Sequence, residues 1–281
     1  MFKRVMVAVV GLPLLILILG WVPSWATMLL LAAMCAIGAW ELMHAAAGER
    51  GRPLIPLTVI AAALVPVCVY AEVSIENTEL TALPVLPLTA LLGAVLVLAL
   101  FVVSICRYGG ERAVPFAALT TAIFAGLVFP LMLSCMLRLR MVPYIGMLLV
   151  FFPLCISFGS DTFAFFAGLL FGKHKLTPVS PKKTVEGAIG GLIGGVIGMM
   201  IMPFVGGMVI SDAFMSPTMA VAFGLLGSVV SQIGDLSFSV IKREFGVKDY
   251  GNLLPGHGGI LDRFDSVTFV VPFVWLLLEL I

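Results

Sequence analysis

The sequence predicts an all-α, polytopic integral membrane protein with about nine transmembrane helices and a polar cleft facing the cytoplasm. Three observations predict it. Hydrophobic residues make up 61% of the 281, against ~45–50% in soluble domains, and mean hydropathy is +1.18. Several apolar runs reach about 18 residues, the length that spans a bilayer core. The short period-2 segments of a transmembrane barrel are absent from the sequence.

The N-terminal MFKRVMVAVVGLPLLILILG has a basic start and an apolar run like a secretory signal. No A-x-A site follows and a second apolar run begins at once, so it is read as a retained span. The spacing of apolar runs predicts helices at 5–21, 25–43, 54–71, 84–106, 116–136, 144–171, 187–210, 218–241 and 267–281. The first hairpin is tight and the last span short. No long soluble insertion interrupts them, so 1–281 is read as a single membrane domain. Its helices up to about 136 form a scaffold and residues from about 144 to 281 form the catalytic part.

The later helices carry the polar residues. In the sixth, Ser157 and Asp161 lie four apart, beside Ser160 and Thr162. Asp161 is expected to order a basic residue or pair with an Arg, ahead of ligating a metal. The seventh holds two ladders, Gly187/Gly191/Gly195 and Gly190/Gly194/Gly198, a spacing that lets helices approach closely in lipid. A nucleotide-binding glycine loop is excluded, because no strand precedes it. The eighth carries Ser228, Ser231, Asp235, Ser239 and Lys242 on one face, with Gln232 beside them. A carboxylate within a span costs about 2.5–3.5 kcal/mol on insertion scales, so it faces a cavity or a partner. Two readings are open: a packed polar seam, or a cleft opening to the cytoplasm with Asp235 near its floor. Glu41 and Glu111 are read as solvated carboxylates at helix ends.

Net charge is +1, which gives no bulk field for nucleic acid. The five cysteines sit in apolar runs without a CxxC pair, so neither a disulfide framework nor a zinc site is expected. With the N-terminus in the cytoplasm, 14 of the 16 Lys and Arg fall on the inner side, as the positive-inside rule requires. Arg138 and Arg140 are the exceptions, marking a misplaced span or a helix that does not cross fully.

Two inner loops concentrate polar chemistry. KHKLTPVSPKKTVEG, residues 173–187, holds four lysines, with Ser180 and Thr184 able to bond phosphate oxygens or cap the next helix. From Lys242 to Asp265, eight of 24 residues are charged and both signs are present. Mixed signs suit a site that binds phosphates and also holds a divalent ion. Magnesium takes hard oxygen ligands, commonly one or two carboxylates plus phosphate and water. Asp235, Asp249, Asp262 and Asp265 are the available donors. Asp262 and Asp265 share a face if helical, and the glycines of PGHGG allow a tight bend.

SFSVIKREFGVKDYGNLLPGHGGILDRFD, residues 237–265, resembles the signature of phosphatidate cytidylyltransferases, the CDP-diacylglycerol synthases. The resemblance rests on Ser239, Lys242, Arg243, Lys248, Asp249, Pro255, His257, Gly258, Gly259, Asp262, Arg263 and Asp265. SPKKTVEG, residues 180–187, and Asp161 in its helix are also similar to this family; Val185 stands where many members carry Trp. The resemblance implies transfer of the cytidylyl group of CTP to phosphatidate at the cytoplasmic face of a bacterial inner membrane. It implies a magnesium site on Asp235 and Asp262, with Asp265 or Asp249 as a further ligand or orienter and room for a second cation. Asp235, Asp262, Asp265, Lys242, Arg263 and His257 are the expected catalytic set, His257 as a phosphate-binding or loop-ordering group. Ser180, Lys182, Lys183, Thr184, Ser239, Arg243, Lys248, Asp249, Gly258 and Gly259 are the expected substrate-binding set. CTP, phosphatidate and membrane lipid are the expected partners, nucleic acid is not, and a homodimer is one assembly the reading allows. The alternative from another class is an ion-coupled transporter, which would show internal repeats and mid-membrane polar residues. A CDP-alcohol transferase would show D-G-x-x-A-R, which the sequence lacks.

Overall fold

The structure is a computed structural model that describes residues 2–78, 87–111, 113–210, 214–253 and 258–281, and no side chains for 2–8 and 10. It is all-helical among these residues. The helices are α1 (Phe2–Gly20), α2 (Ser24–Ala46), α3 (Ile55–Glu76), α4 (Leu88–Cys106) and α5 (Phe116–Arg140), which passes through a π-turn at Phe124–Val128. After a short turn at Gly146–Leu149 come α6 (Phe152–Phe171), α7 (Val185–Val209), α8 (Pro217–Glu244) and α9 (Leu261–Glu279).

Each expected span thus falls on a helix. Seven, α2 to α8, are long and apolar enough to cross a membrane, so the expected count of nine spans is not reached among the described residues. The described apolar part of α1 is the short Gly11–Gly20. Helix α9 is diluted by Asp262, Arg263 and Asp265 in its opening turns.

The chain packs as two compact units. The first comprises Met1–Met141 and Phe245–Arg263, the second Val142–Glu244 and Phe264–Ile281. In the first, α3 packs against α2, α4 and α5. Leu31, Cys35, Ala39 and Leu42 of α2 are almost fully buried, as are Ala62, Val65 and Val69 of α3 and Phe129, Leu133 and Leu137 of α5. Their steps of three and four residues form one stripe per helix. Phe129 fits a notch at Gly38, where an added Cβ would lie 2.8 Å from its ring.

One end of this unit is tied by charge. Arg138 pairs with Glu72 at 3.4 Å and Glu76 at 3.7 Å. Glu72, only 4% exposed, also accepts the Thr89 amide at 2.7 Å and hydroxyl at 2.9 Å. Arg140 donates to the carbonyls of Gly20 and Val22 at 3.3 and 3.1 Å. Both exceptions to the charge bias are therefore engaged locally, though Arg140 Nε is buried without a partner among the described residues, and the α5 span is where the sequence puts it.

The second unit is built on the glycine ladders of α7. Gly190, Gly194 and Gly198 meet Ala167, Gly159 and Cys155 of α6 so closely that no side chain fits between. Gly195 faces Ser228 and Gly224 of α8. Backbone-to-backbone packing of this kind is how helices associate where lipid removes the hydrophobic drive.

Replacing Arg138 with Leu leaves the buried Glu72 without its cation. It is expected to lower stability by roughly 2 kcal/mol, less than the ~3–5 for a fully buried pair, because Arg138 is 24% exposed. Equilibrium unfolding in mixed micelles measures it, and an unchanged midpoint would contradict the pairing.

Candidate active site

In the second unit, four segments, residues 173–184, α6, α8 and α9, bring their polar groups together. The first is the 173–184 segment, which folds back as a hairpin. Leu176 N–H donates to Lys183 O at 3.0 Å and Val185 N–H to His174 O at 2.9 Å, and Lys175 bridges to Thr184. The turn closes with Lys183 N–H on Ser180 O at 3.0 Å. Thr184 takes the capping role: its extended backbone starts α7 and its Oγ1 accepts Gly187 N–H at 3.1 Å. Glu186, in the first turn of α7, accepts the amides of Lys173 and His174 and pairs with His174 Nδ1 at 2.6 Å. Arg243 Nε, from the end of α8, reaches Val179 O at 3.2 Å and ties the hairpin to that helix.

The hairpin presents Lys183 to Asp235. Its Nζ forms an ion pair with Asp235 Oδ2 on α8, 52 residues away. Lys183 and Asp235 are 29% and 24% exposed at their side chains, so the pair is neither sealed in the core nor fully solvated. Asp161 on α6 and Asp265 on α9 both lie within electrostatic reach of Asp235. Lys183 acts on Asp161 and Lys242 on Asp265. Ser266 donates its hydroxyl to Asp161 at 3.2 Å and its amide to Asp265 at 2.8 Å. The result is three carboxylates interleaved with two ammonium groups.

The polar face of α8 differs along its length. Ser228 and Ser231 are fully buried, and Ser228 is packed on α7 with its hydroxyl on Gly224 O at 2.7 Å. Gln232 donates to Ala188 O at 3.1 Å. This half is a packed seam. From Asp235 to Lys242 the face opens, with Ser239 again buried. The hydroxyls of Ser157, Ser160 and Ser231 are buried with no protein partner.

Lys182 is exposed in the second unit, and the remaining described residues of the expected set lie in the first. Lys248 and Asp249 are exposed. Asp262 Oδ2 accepts the amides of Tyr250 at 2.9 Å and Gly259 at 3.0 Å, which pins the loop before α9 to its first turn. Gly258 sits at φ +82°, a backbone region that favours glycine. Arg263 is exposed and begins the second turn of charge on α9. His257 lies outside the described residues, as do Leu254, Pro255 and Gly256.

Glu41 is a correction. It is not a solvated carboxylate at a helix end: it is 0% exposed. It accepts the amides of Ile260 and Leu261, both at 3.1 Å. The sequence signal available was weak, a single acid near the end of an apolar run, and its partners lie 219 and 220 residues away.

Among the described residues no three His, Cys, Asp or Glu groups converge as a ready-made metal cage. The donor chemistry still fits magnesium. Asp161, Asp235 and Asp265 supply only oxygen, and Lys183 and Lys242 already set positive charge among them. Magnesium is commonly held by one or two carboxylates with phosphate and water completing its shell.

A family model described as the cytidylyltransferase family matches residues 2–281. The chain belongs to the cytidylyltransferase family. Curated relatives carry the name phosphatidate cytidylyltransferase. That of Bacillus subtilis (strain 168) is 39% identical over 160 residues, 57% of this chain and 56% of the relative. That of Staphylococcus saprophyticus is 46% identical over 134 residues, 47% and 50%, and that of Staphylococcus aureus (strain COL) 44% over 134 residues, 47% and 50%. The chain spans about half the length of the curated relatives it matches.

Lys183→Met and Asp235→Asn are expected to be non-additive. Each alone leaves an unbalanced charge, and the double variant removes the conflict, giving a coupling of about 0.5–3 kcal/mol. A double-mutant cycle on unfolding in micelles measures it. Additive losses would mean that the two side chains do not pair.

Proposed function

We propose that this chain transfers the cytidylyl group of CTP to phosphatidate, giving CDP-diacylglycerol and pyrophosphate. The observation that carries the reading is the Lys183–Asp235 pair, set among Asp161, Asp265 and Lys242. It joins the SPKKT hairpin to α8 at a mixed-charge site on membrane-spanning helices. The family match and the names of the relatives supply the substrate class.

A phosphatidate oxygen attacks the α-phosphorus of CTP. The bond from that phosphorus to the oxygen bridging to the β-phosphate breaks, and pyrophosphate leaves with that oxygen. The nucleophile is a phosphate monoester, whose second pKa near 6 leaves it largely anionic at neutral pH. A strong general base is therefore not required, and His257 is assigned to phosphate binding or loop order. Catalysis rests on positioning and on neutralising charge.

Lys182, Lys183, Lys242, Arg243, Lys248 and Arg263 are the cations for the phosphates of nucleotide and lipid. Ser180, Ser239, Asp249, Gly258 and Gly259 line the substrate, and Thr184 holds the hairpin through its cap. Asp235 and Asp262, with Asp265 or Asp249 as a further ligand or orienter, would hold magnesium, which would supply charge neutralisation at the transferring phosphate; a second cation is part of the proposal. Lys183 balances the charge of Asp235. The active site is assigned to the cytoplasmic face of a bacterial inner membrane, the side that collects 14 of the 16 basic residues. The apolar surfaces of the helices leave the acyl chains in the bilayer while the headgroup meets the charges.

The test is a micellar assay with radiolabelled CTP, phosphatidate and magnesium. Label is expected in the lipid phase, and Asp235→Asn should lose at least ~100-fold, the scale of one lost charge-stabilising group, while staying folded and inserted. Asp262→Asn should lose more than His257→Gln; the reverse order would assign the histidine a proton-transfer role. Solute counterflow in liposomes with no label in lipid would replace the enzyme with a transporter.

A further inference from the structure

The first unit contains a buried carboxylate that the reaction above does not use. We propose that Glu41 is a positioning residue: it clamps the start of α9 and so sets the orientation of Asp262 and its loop. The role in turnover rests on the proposed cytidylyl transfer; the clamp itself does not.

Glu41 Oε1 accepts Ile260 N–H and Oε2 accepts Leu261 N–H, each at 3.1 Å. These are amides at the N-terminus of α9, where the helix leaves donors without an intrahelical partner and carries its positive end. A carboxylate from α2 supplies the acceptors, as a capping side chain would, but from across the unit. Asp262, the next residue after Leu261, binds the other way: its Oδ2 holds the amides of Tyr250 and Gly259. Tyr250, Gly259, Ile260 and Leu261 are thus held by two carboxylates, one from α2 and one from α9.

Two glycines of the loop lie against the Glu41 side chain. A Cβ on Gly259 would lie 2.5 Å from Glu41 Cδ, and one on Gly251 would lie 2.8 Å from it. No L side chain fits at either place while the clamp is closed. An apolar cavity of about 530 Å³, lined by Trp40, Val59 and Leu253, flanks the same carboxylate. Low polarity there strengthens the two hydrogen bonds. It also explains why an acid is retained in an apolar span: each of its oxygens accepts an amide from the helix start that carries Asp262 and Arg263.

The test combines amide exchange and turnover on the full chain in micelles. Glu41→Gln keeps one side-chain oxygen and Glu41→Leu keeps none. Peptides spanning residues 258–262 are expected to exchange about tenfold faster in Glu41→Gln, the loss of roughly one hydrogen bond, and faster again in Glu41→Leu, with α6–α8 peptides unchanged. Exchange at wild-type rates in both variants, or acceleration spread evenly over α2–α5, would overturn the clamp. In the turnover arm, Glu41→Gln should add little to the loss caused by Asp262→Asn, because both act through one loop; full additivity would overturn the positioning role. In the exchange arm, Gly259→Ala should be costly to the protection of residues 258–262 in the wild-type background and add little to the loss beside Glu41→Leu. Equal cost in both backgrounds would show that the glycine answers to something else. If the wild-type chain labels no lipid, the reaction fails and the exchange arm still decides the clamp.

Discussion

A carboxylate placed in a helix that crosses a bilayer must find a donor or a cation, because the surroundings provide neither. Each acid described above meets this demand differently. Glu72 takes Arg138 and Thr89. Glu41 takes two backbone amides, and Asp262 takes two others. Asp235 takes Lys183. The first three give fixed arrangements that hold helices or a loop. The last joins two side chains that are both partly open to their surroundings, which is the arrangement a charged ligand could enter.

The glycine ladders of α7 are the condition for that last pair. With no side chains between them, α6 and α7 run backbone against backbone, and α8 packs at Gly195 and Gly224. This brings Asp161 and Asp235, on two different helices, within electrostatic reach. The hairpin that follows α6 turns back on itself, capped by Thr184, and delivers Lys183 to the same place. Close packing in the apolar part of the unit therefore sets the spacing of the charges at its polar end.

The two units also divide the polar work. In the second, charges of opposite sign are interleaved and several keep open faces. In the first, Glu41 and Asp262 accept backbone amides and Glu72 takes Arg138 and Thr89. Helix α9 carries an acid of each kind, Asp262 with its Oδ2 on two amides and Asp265 within reach of Asp235 and Lys242.

The sequence by itself determined the helical class, the run of helices and the identity of the charged loops. These depend on local quantities: apolar length, period and composition. Asp235, Lys183 and the 237–265 loop were legible because charge is rare in such a chain and its spacing on α8 is helical. Tertiary structure alone decided the partners. Nothing local distinguishes Glu41 from a solvated acid at a helix end, or assigns Arg138 to Glu72, because the amides and carboxylates involved are brought together only by packing. It also decided that the serine face of α8 is seam at one end and open at the other, since burial is a property of neighbours and not of the residue that is buried.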